Sequence, residues 1–136
     1  MFEILEHTAD IGFRAQGATP AELFETSALA LASIAYELEG ISPRLQYPLA
    51  AAGPDYEGLL VNWLNEVLYR IDGERLALCH FRVAEISPTG VSGVAAGEPR
   101  NPARHRARLI VKGVTYHQLR VAETSDGWWA QVYLDI

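Results

Sequence analysis

Hydrophobic spacing along this chain changes period near Arg75, and that change limits the folds open to it. In two stretches, Leu23 to Leu38 and Leu59 to Ile71, apolar residues recur at helical intervals, whereas from Leu76 onward they alternate as in strands. The first helix has a full start signal. Thr19 can cap it, Pro20 suits its first position, and Glu22 completes a capping box. Leu23, Phe24, Ala28, Leu31, Ile34, Ala35 and Leu38 follow, and Gly40 suits a left-handed terminator. Asp55 can cap a second helix with the stripe Leu59, Leu60, Trp63, Leu64, Val67, Leu68 and Ile71, closed by Asp72-Gly73.

Five strands are then predicted: Leu76–Ile86, Val91–Ala96, Ala107–Lys112, Tyr116–Glu123 and Trp128–Leu134. Pro88-Thr89-Gly90, Gly97-Glu98-Pro99 and Ser125-Asp126-Gly127 read as breaks between them, the last as a hairpin turn. Phe2 to Gly17 also reads extended, with a bend at His7-Thr8-Ala9-Asp10. Pro43 and Pro48 mark the stretch from Ile41 to Gly53 as an edge strand or a loop. The expected architecture is α+β: two helices covering one face of a largely antiparallel β-sheet, in a single domain spanning 1–136.

Composition narrows the functions. At 136 residues there is material for one core. Seventeen acids against eleven bases give a net charge of -6, and Lys112 is the only lysine. Such a chain repels phosphate and is poorly suited to wrapping nucleic acid. The single cysteine, Cys79, excludes an internal disulfide and a multi-cysteine zinc site, and fits a reducing cytoplasm. No charged and apolar leader opens the sequence and no run of about 18 apolar residues occurs, so no membrane span is expected.

Three segments could carry chemistry. His7-Thr8-Ala9-Asp10 places two titratable groups in one bend, where they could converge on a ligand or simply form a polar turn. Leu134-Asp135-Ile136 follows a strand directly. If that end is held, the Asp135 side chain and the Ile136 carboxylate are adjacent oxygen donors, suited to a hard cation such as Ca²⁺ or Mg²⁺. A solvated acidic end is the competing reading. Lys112-Gly113-Val114-Thr115-Tyr116-His117 carries the sole lysine and a histidine, which also read as an edge charge and a structural histidine.

Other features lean structural. Arg100, Arg104, His105, Arg106 and Arg108 read as a solvated loop that could meet an acidic partner or phosphate. Trp128 and Trp129 should face opposite sides of a strand, and Cys79 reads as a small buried hydrophobe. No phosphate-cradling glycine loop, nucleophile elbow or zinc-helix motif occurs.

Several of these segments fall together in the order and spacing of one family. Glu6-His7-Thr8-Ala9-Asp10-Ile11-Gly12, the stretch from Leu59 to Tyr69, Gly97-Glu98, Lys112 to His117 and Leu134-Asp135-Ile136 make the chain resemble the archease family over essentially its whole length. The resemblance implies a small, non-enzymatic α+β protein that assists an RtcB-type RNA-splicing ligase, promoting ligase guanylylation and turnover in tRNA splicing or RNA repair. An older proposal for the family is a chaperone-like modulator of a tRNA methyltransferase. By motif matching, the family's metal site falls on Asp10, Asp135 and Ile136, with a divalent cation expected there: Ca²⁺ first, Mg²⁺ or Mn²⁺ as alternatives. His7, Glu98, Lys112 and His117 become candidates for supporting the site or docking the partner. Two residues depart from the pattern: Asn62 stands where aspartate is more common, and Gly113 where alanine is more usual.

Two other classes compete. A general chaperone would use the tryptophan strand as an apolar patch. A metal-dependent hydrolase would need Asp10, Asp135 and His7 or His117 to turn over a phosphoester unaided. Direct sequence-specific RNA binding is not expected, for want of an aromatic RNA-binding motif or an overall basic face.

Overall fold

The computed structural model describes residues 1–6 and 10–136. Elements follow in the order β1 (Phe2–Glu6), β2 (Asp10–Gly17), α1 (Pro20–Ala35), β3 (Leu45–Ala52), α2 (Tyr56–Leu68), a π-helical turn (Tyr69–Gly73), β4 (Leu76–Ser87), β5 (Gly90–Pro99), β6 (Gly113–Thr124) and β7 (Gly127–Asp135). The class is α+β, as expected, but the strands form two antiparallel sheets rather than one. A four-stranded sheet runs β1-β2-β7-β6, and a three-stranded sheet runs β3-β5-β4.

Each helix packs on both sheets: α1 against β2 and β4, α2 against β3 and β6. That explains why α1 buries Leu23, Ser27, Ala30, Leu31 and Ile34, an arc wider than one stripe. Small residues on α1 let the helices approach. Trp63, fully buried on α2, donates its indole N–H to the Phe24 carbonyl at 3.1 Å and so ties the helices together. Truncating it to alanine would cost about 3–5 kcal/mol.

Local chemistry sets the helix starts. The Thr19 hydroxyl accepts the Glu22 N–H at 3.2 Å, and the Asp55 carboxylate accepts the Gly58 N–H at 2.8 Å. The end of α1 is set at long range. It stops at Ala35, short of Gly40, because the carbonyls of Ile34 and Ala35 receive the N–H groups of Leu109 and Arg108. Gly40 is left-handed, with φ of 95°, but lies in the turn beyond.

The same bonds correct the strand expected at Ala107–Lys112. That segment is irregular: beyond an isolated bridge between Ala107 and Tyr36, its donors go to the end of α1, and Lys112 alone reaches a strand, at Asp135 of β7. Gly97-Glu98-Pro99 is no turn either, but the end of β5, opposite Leu78, Ala77 and Leu76. A Cβ at Gly97 would lie 2.0 Å from the Ala77 carbonyl oxygen, so the glycine permits a close approach of two strands. Pro48 sits on β3, an edge strand, in agreement with the sequence reading. Ser125-Asp126-Gly127 is the hairpin between β6 and β7, with Gly127 at φ 128°. Among the described residues no helix is long and apolar enough to cross a membrane.

Candidate functional site

The four-stranded sheet brings the early and late motifs to one end. Asp10, the first residue of β2, is the cross-strand partner of Asp135, the last of β7, and Asp135 is also opposite Gly113 of β6. Directly opposed residues of an antiparallel pair project from the same face, so the two aspartates share one. Asp135 is held through its backbone: its carbonyl accepts the Lys112 N–H at 2.7 Å. Ile136 packs against the core, which anchors the residue beside it.

The next pair inward shows how the face is shaped. Gly12 lies opposite Tyr133, and a Cβ at Gly12 would sit 2.7 Å from the Tyr133 ring. Glycine therefore leaves the space that this ring fills. Thr115 of β6 donates its hydroxyl to the Tyr133 carbonyl at 3.0 Å and accepts the His117 N–H at 3.3 Å. The β6–β7 register shifts between Thr115 and Arg120, where Gln118 is left-handed at φ 50°. This irregularity carries the exposed His117 ring to 5.6 Å from that of Tyr133. Asp10, Asp135, Lys112 and His117 thus gather at one end of the sheet. His7 lies outside the described residues.

The paired aspartates and the neighbouring Ile136 offer oxygen donors only. Among the described residues no three His, Cys, Asp or Glu side chains group to hold a metal ion. A cation here would take the two aspartates plus oxygens of Ile136, a set that suits a hard ion and not zinc. Two acids directly opposed repel each other, and a cation between them would reverse the sign of that interaction.

Glu98 lies elsewhere. Its carboxylate is buried, so a surface docking role does not fit it. Oε2 accepts the Ser42 N–H at 2.9 Å, the His105 Nε2–H at 2.9 Å and a short bond from Arg104, while Oε1 accepts Arg44 Nε at 3.0 Å. His105 Nδ1 accepts the Asn101 N–H at 2.8 Å, which assigns the proton to Nε2. The Ser42 N–H, then the His105 ring and the two guanidinium groups, hold the Glu98 carboxyl far below the usual carboxylate range, against the opposing effect of burial. This network pins the start of the irregular segment that ends at Lys112. The sequence reading had neither Ser42 nor Arg44 as a partner, since both approach from more than fifty residues away.

The model of the Archease protein family (MTH1598/TM1083) matches residues 2–136. The chain belongs to the archease family. Relatives named as protein archease include one from Methanosarcina acetivorans, 40% identical over 99% of this chain and 95% of that one. Another, from Pyrococcus furiosus, is 37% identical over 99% and 98%. The solution structure of Methanobacterium thermoautotrophicum protein 1598 superposes with a TM-score of 0.86 at 30% identity, covering 99% of this chain and 98% of that one. The fold is shared with an archease from Thermotoga maritima, described as a possible chaperone, at a TM-score of 0.70 and 20% identity over 97% and 94% of the two chains.

The two departures from the archease pattern have local explanations. Asn62 donates its side-chain N–H to the Ala52 carbonyl at 2.7 Å, which an aspartate could not do. A Cβ at Gly113 would meet nothing within 4 Å among the described residues, so alanine fits among them equally. The tryptophans divide between two environments: Trp128 packs edge-on against Tyr56 at 5.2 Å, and Trp129 lies under Arg120 at 5.8 Å. Both are half-buried, not exposed. Cys79 is half-buried at a register shift of β4, and burial, with Glu98 second, pushes its thiol pKa up, which makes it a poor nucleophile.

Proposed function

We propose that this protein is a non-enzymatic activator of an RtcB-type RNA ligase, promoting ligase guanylylation and turnover in tRNA splicing or RNA repair. The observation that carries the reading is the register pairing of Asp10 with Asp135 beside Ile136. A divalent cation, Ca²⁺ first with Mg²⁺ or Mn²⁺ as alternatives, is held by these three residues. Bound there, it supplies a positive charge with coordination positions left for a partner's oxygen atoms. The chain's own part is to hold and present: Lys112 fastens Asp135 through the backbone, and Ile136 anchors the end on the core. The exposed Lys112 side chain and His117 ring are the docking groups. The setting is the cytoplasm.

The test adds the protein to its cognate ligase with and without Ca²⁺ and follows ligase–guanylate formation. Stimulation by the wild type, lost in Asp10→Ala and Asp135→Ala with the fold retained, is expected. Variants that stimulate fully would overturn the tip model.

A second reading, a chaperone-like modulator of a tRNA methyltransferase or other RNA-processing client, is favoured by exposed apolar side chains beside one another: Leu109 is 42% exposed and Ile110 77%. It requires that suppression of client aggregation survive Asp135→Ala and fall in Ile110→Ser.

A further inference from the structure

On the side of the irregular segment a cleft of about 350 Å³ opens between the end of α1, the π-helical turn and the residues before Lys112. Arg100 forms its floor. The Arg100 backbone N–H donates to the Arg75 carbonyl at 2.9 Å, one terminal guanidinium nitrogen donates to the Ile71 carbonyl at 2.6 Å, and the guanidinium lies 4.7 Å over the Tyr36 ring. The group is thus held in one orientation. Its Nε–H is buried, with no acceptor among the described residues and no opening for an external one. An arginine does not shed its proton, so the positive charge stays fixed beside the cleft.

Arg75 adds a second charge there. It lines the cleft, is exposed, and stands in the left-handed region at φ 56°, which a non-glycine residue adopts only where its surroundings enforce it. Neither arginine is ion-paired with any described residue, a state shared with Arg14, Arg82, Arg108 and Arg120. Asp72 is the one acid on the lining, so the cleft carries two positive charges against one negative, in a chain of net charge -6. The rest of the wall is apolar and ends at Leu109 and the exposed Ile110.

We propose that this cleft docks an acidic, apolar peptide segment of a protein partner. A carboxylate of the segment pairs with the exposed Arg75 guanidinium in the field of the fixed Arg100 charge, and a neighbouring aliphatic side chain covers Leu109 and Ile110. Charge complementarity selects the carboxylate, and the Arg100 guanidinium, already fixed by Ile71 and Tyr36, adds its charge without further ordering. A polynucleotide fits poorly, because the acidic molecule repels a phosphate chain and the apolar rim offers it no hydrogen bonds.

The test measures fluorescence anisotropy of a labelled peptide, Gly-Leu-Asp-Leu-Leu-Asp-Gly, titrated with the full chain without metal. Saturable binding that weakens with salt is expected, falling about tenfold or more in Arg75→Gln and in Ile110→Ser. Arg100→Gln should also weaken binding, by removing a fixed charge; the other two changes lie on the exposed rim and test the idea even if that variant misfolds. Asp135→Asn should bind as the wild type does, which separates this surface from the metal-tip reading. The proposal is overturned by no saturable binding, by equal binding of the Asn-for-Asp peptide, by an unaffected Arg75→Gln, or by tighter binding of inorganic phosphate or a single-stranded RNA oligomer.

Discussion

Asp10 and Asp135 stand directly opposite each other where β2 and β7 meet at the end of the four-stranded sheet. A designer seeking stability alone would not place two acids there, since like charges at opposed positions destabilise a ladder. In the function proposed above, a cation joins them and reverses the sign of that interaction.

The first prediction follows from that pair. Without metal, Asp135→Asn should be as stable as the wild type or more so, by about 0.2–1 kcal/mol and toward the low end because Asp135 is exposed. With Ca²⁺ in excess the order should invert. A ligand at one hundred times its Kd stabilises the native state by about 2.7 kcal/mol, and the variant should gain much less. Thermal unfolding with chelator and then with Ca²⁺ reads both halves. An identical Ca²⁺-induced shift in the two proteins would remove Asp135 from the site.

Glu98 makes a separate prediction about acid. Its native pKa is depressed, so its contribution to stability is complete above the ordinary value of 4.5 and is lost as pH falls below that toward the native value. Glu98→Gln should lower the melting temperature at pH 7, because the amide brings a donor to a place already occupied by four donors. It should also flatten the decline of stability below about pH 4.5. Melting curves from pH 3 to 7 decide it, and parallel pH profiles for both proteins would refute the assignment.

Which parts of this were readable in the sequence depends on the range of the forces. Both helix starts were legible, because a cap and its N–H partner lie three residues apart. The end of α1 was not, because residues far along the chain supply the donors that close it. Gly97-Glu98-Pro99 has the composition of a turn, yet its glycine serves the contact with Ala77, which no local pattern reveals. Ala107–Lys112 alternates like a strand, but the end of α1 takes its donors at Arg108 and Leu109, and only Lys112 bonds to a strand. The tip was legible only through the family motifs, since nothing in spacing alone joins Asp10 to Asp135. Arg100 passed as one of several loop arginines; its fixed geometry shows only in three dimensions.

Asn62 offers a test of the chain's departure from its family. Asn62→Asp restores the commoner residue but replaces a donor with a charge facing the Ala52 carbonyl. A loss of about 1 kcal/mol in urea unfolding is expected. If the aspartate is neutral or better, the Ala52 bond contributes nothing.

Two glycines of the tip should respond in opposite ways to the same added methyl group. At Gly12 the new Cβ meets the Tyr133 ring at 2.7 and 2.8 Å and the Val132 carbonyl oxygen at 3.0 Å, so the ring must leave the place it holds beside the aspartates. Overpacking of this kind costs about 1–3 kcal/mol. At Gly113, opposite Asp135, the added Cβ meets none of the described residues, and the loss of backbone freedom in the unfolded chain favours alanine by up to about 1 kcal/mol. Gly12→Ala should therefore lose stability, and with it the His117–Tyr133 ring contact, seen as a shift in the His117 proton resonances. Gly113→Ala should keep both. Equal stability of the two variants would mean that Tyr133 does not need the gap at Gly12, and the account of how this face is shaped would fail.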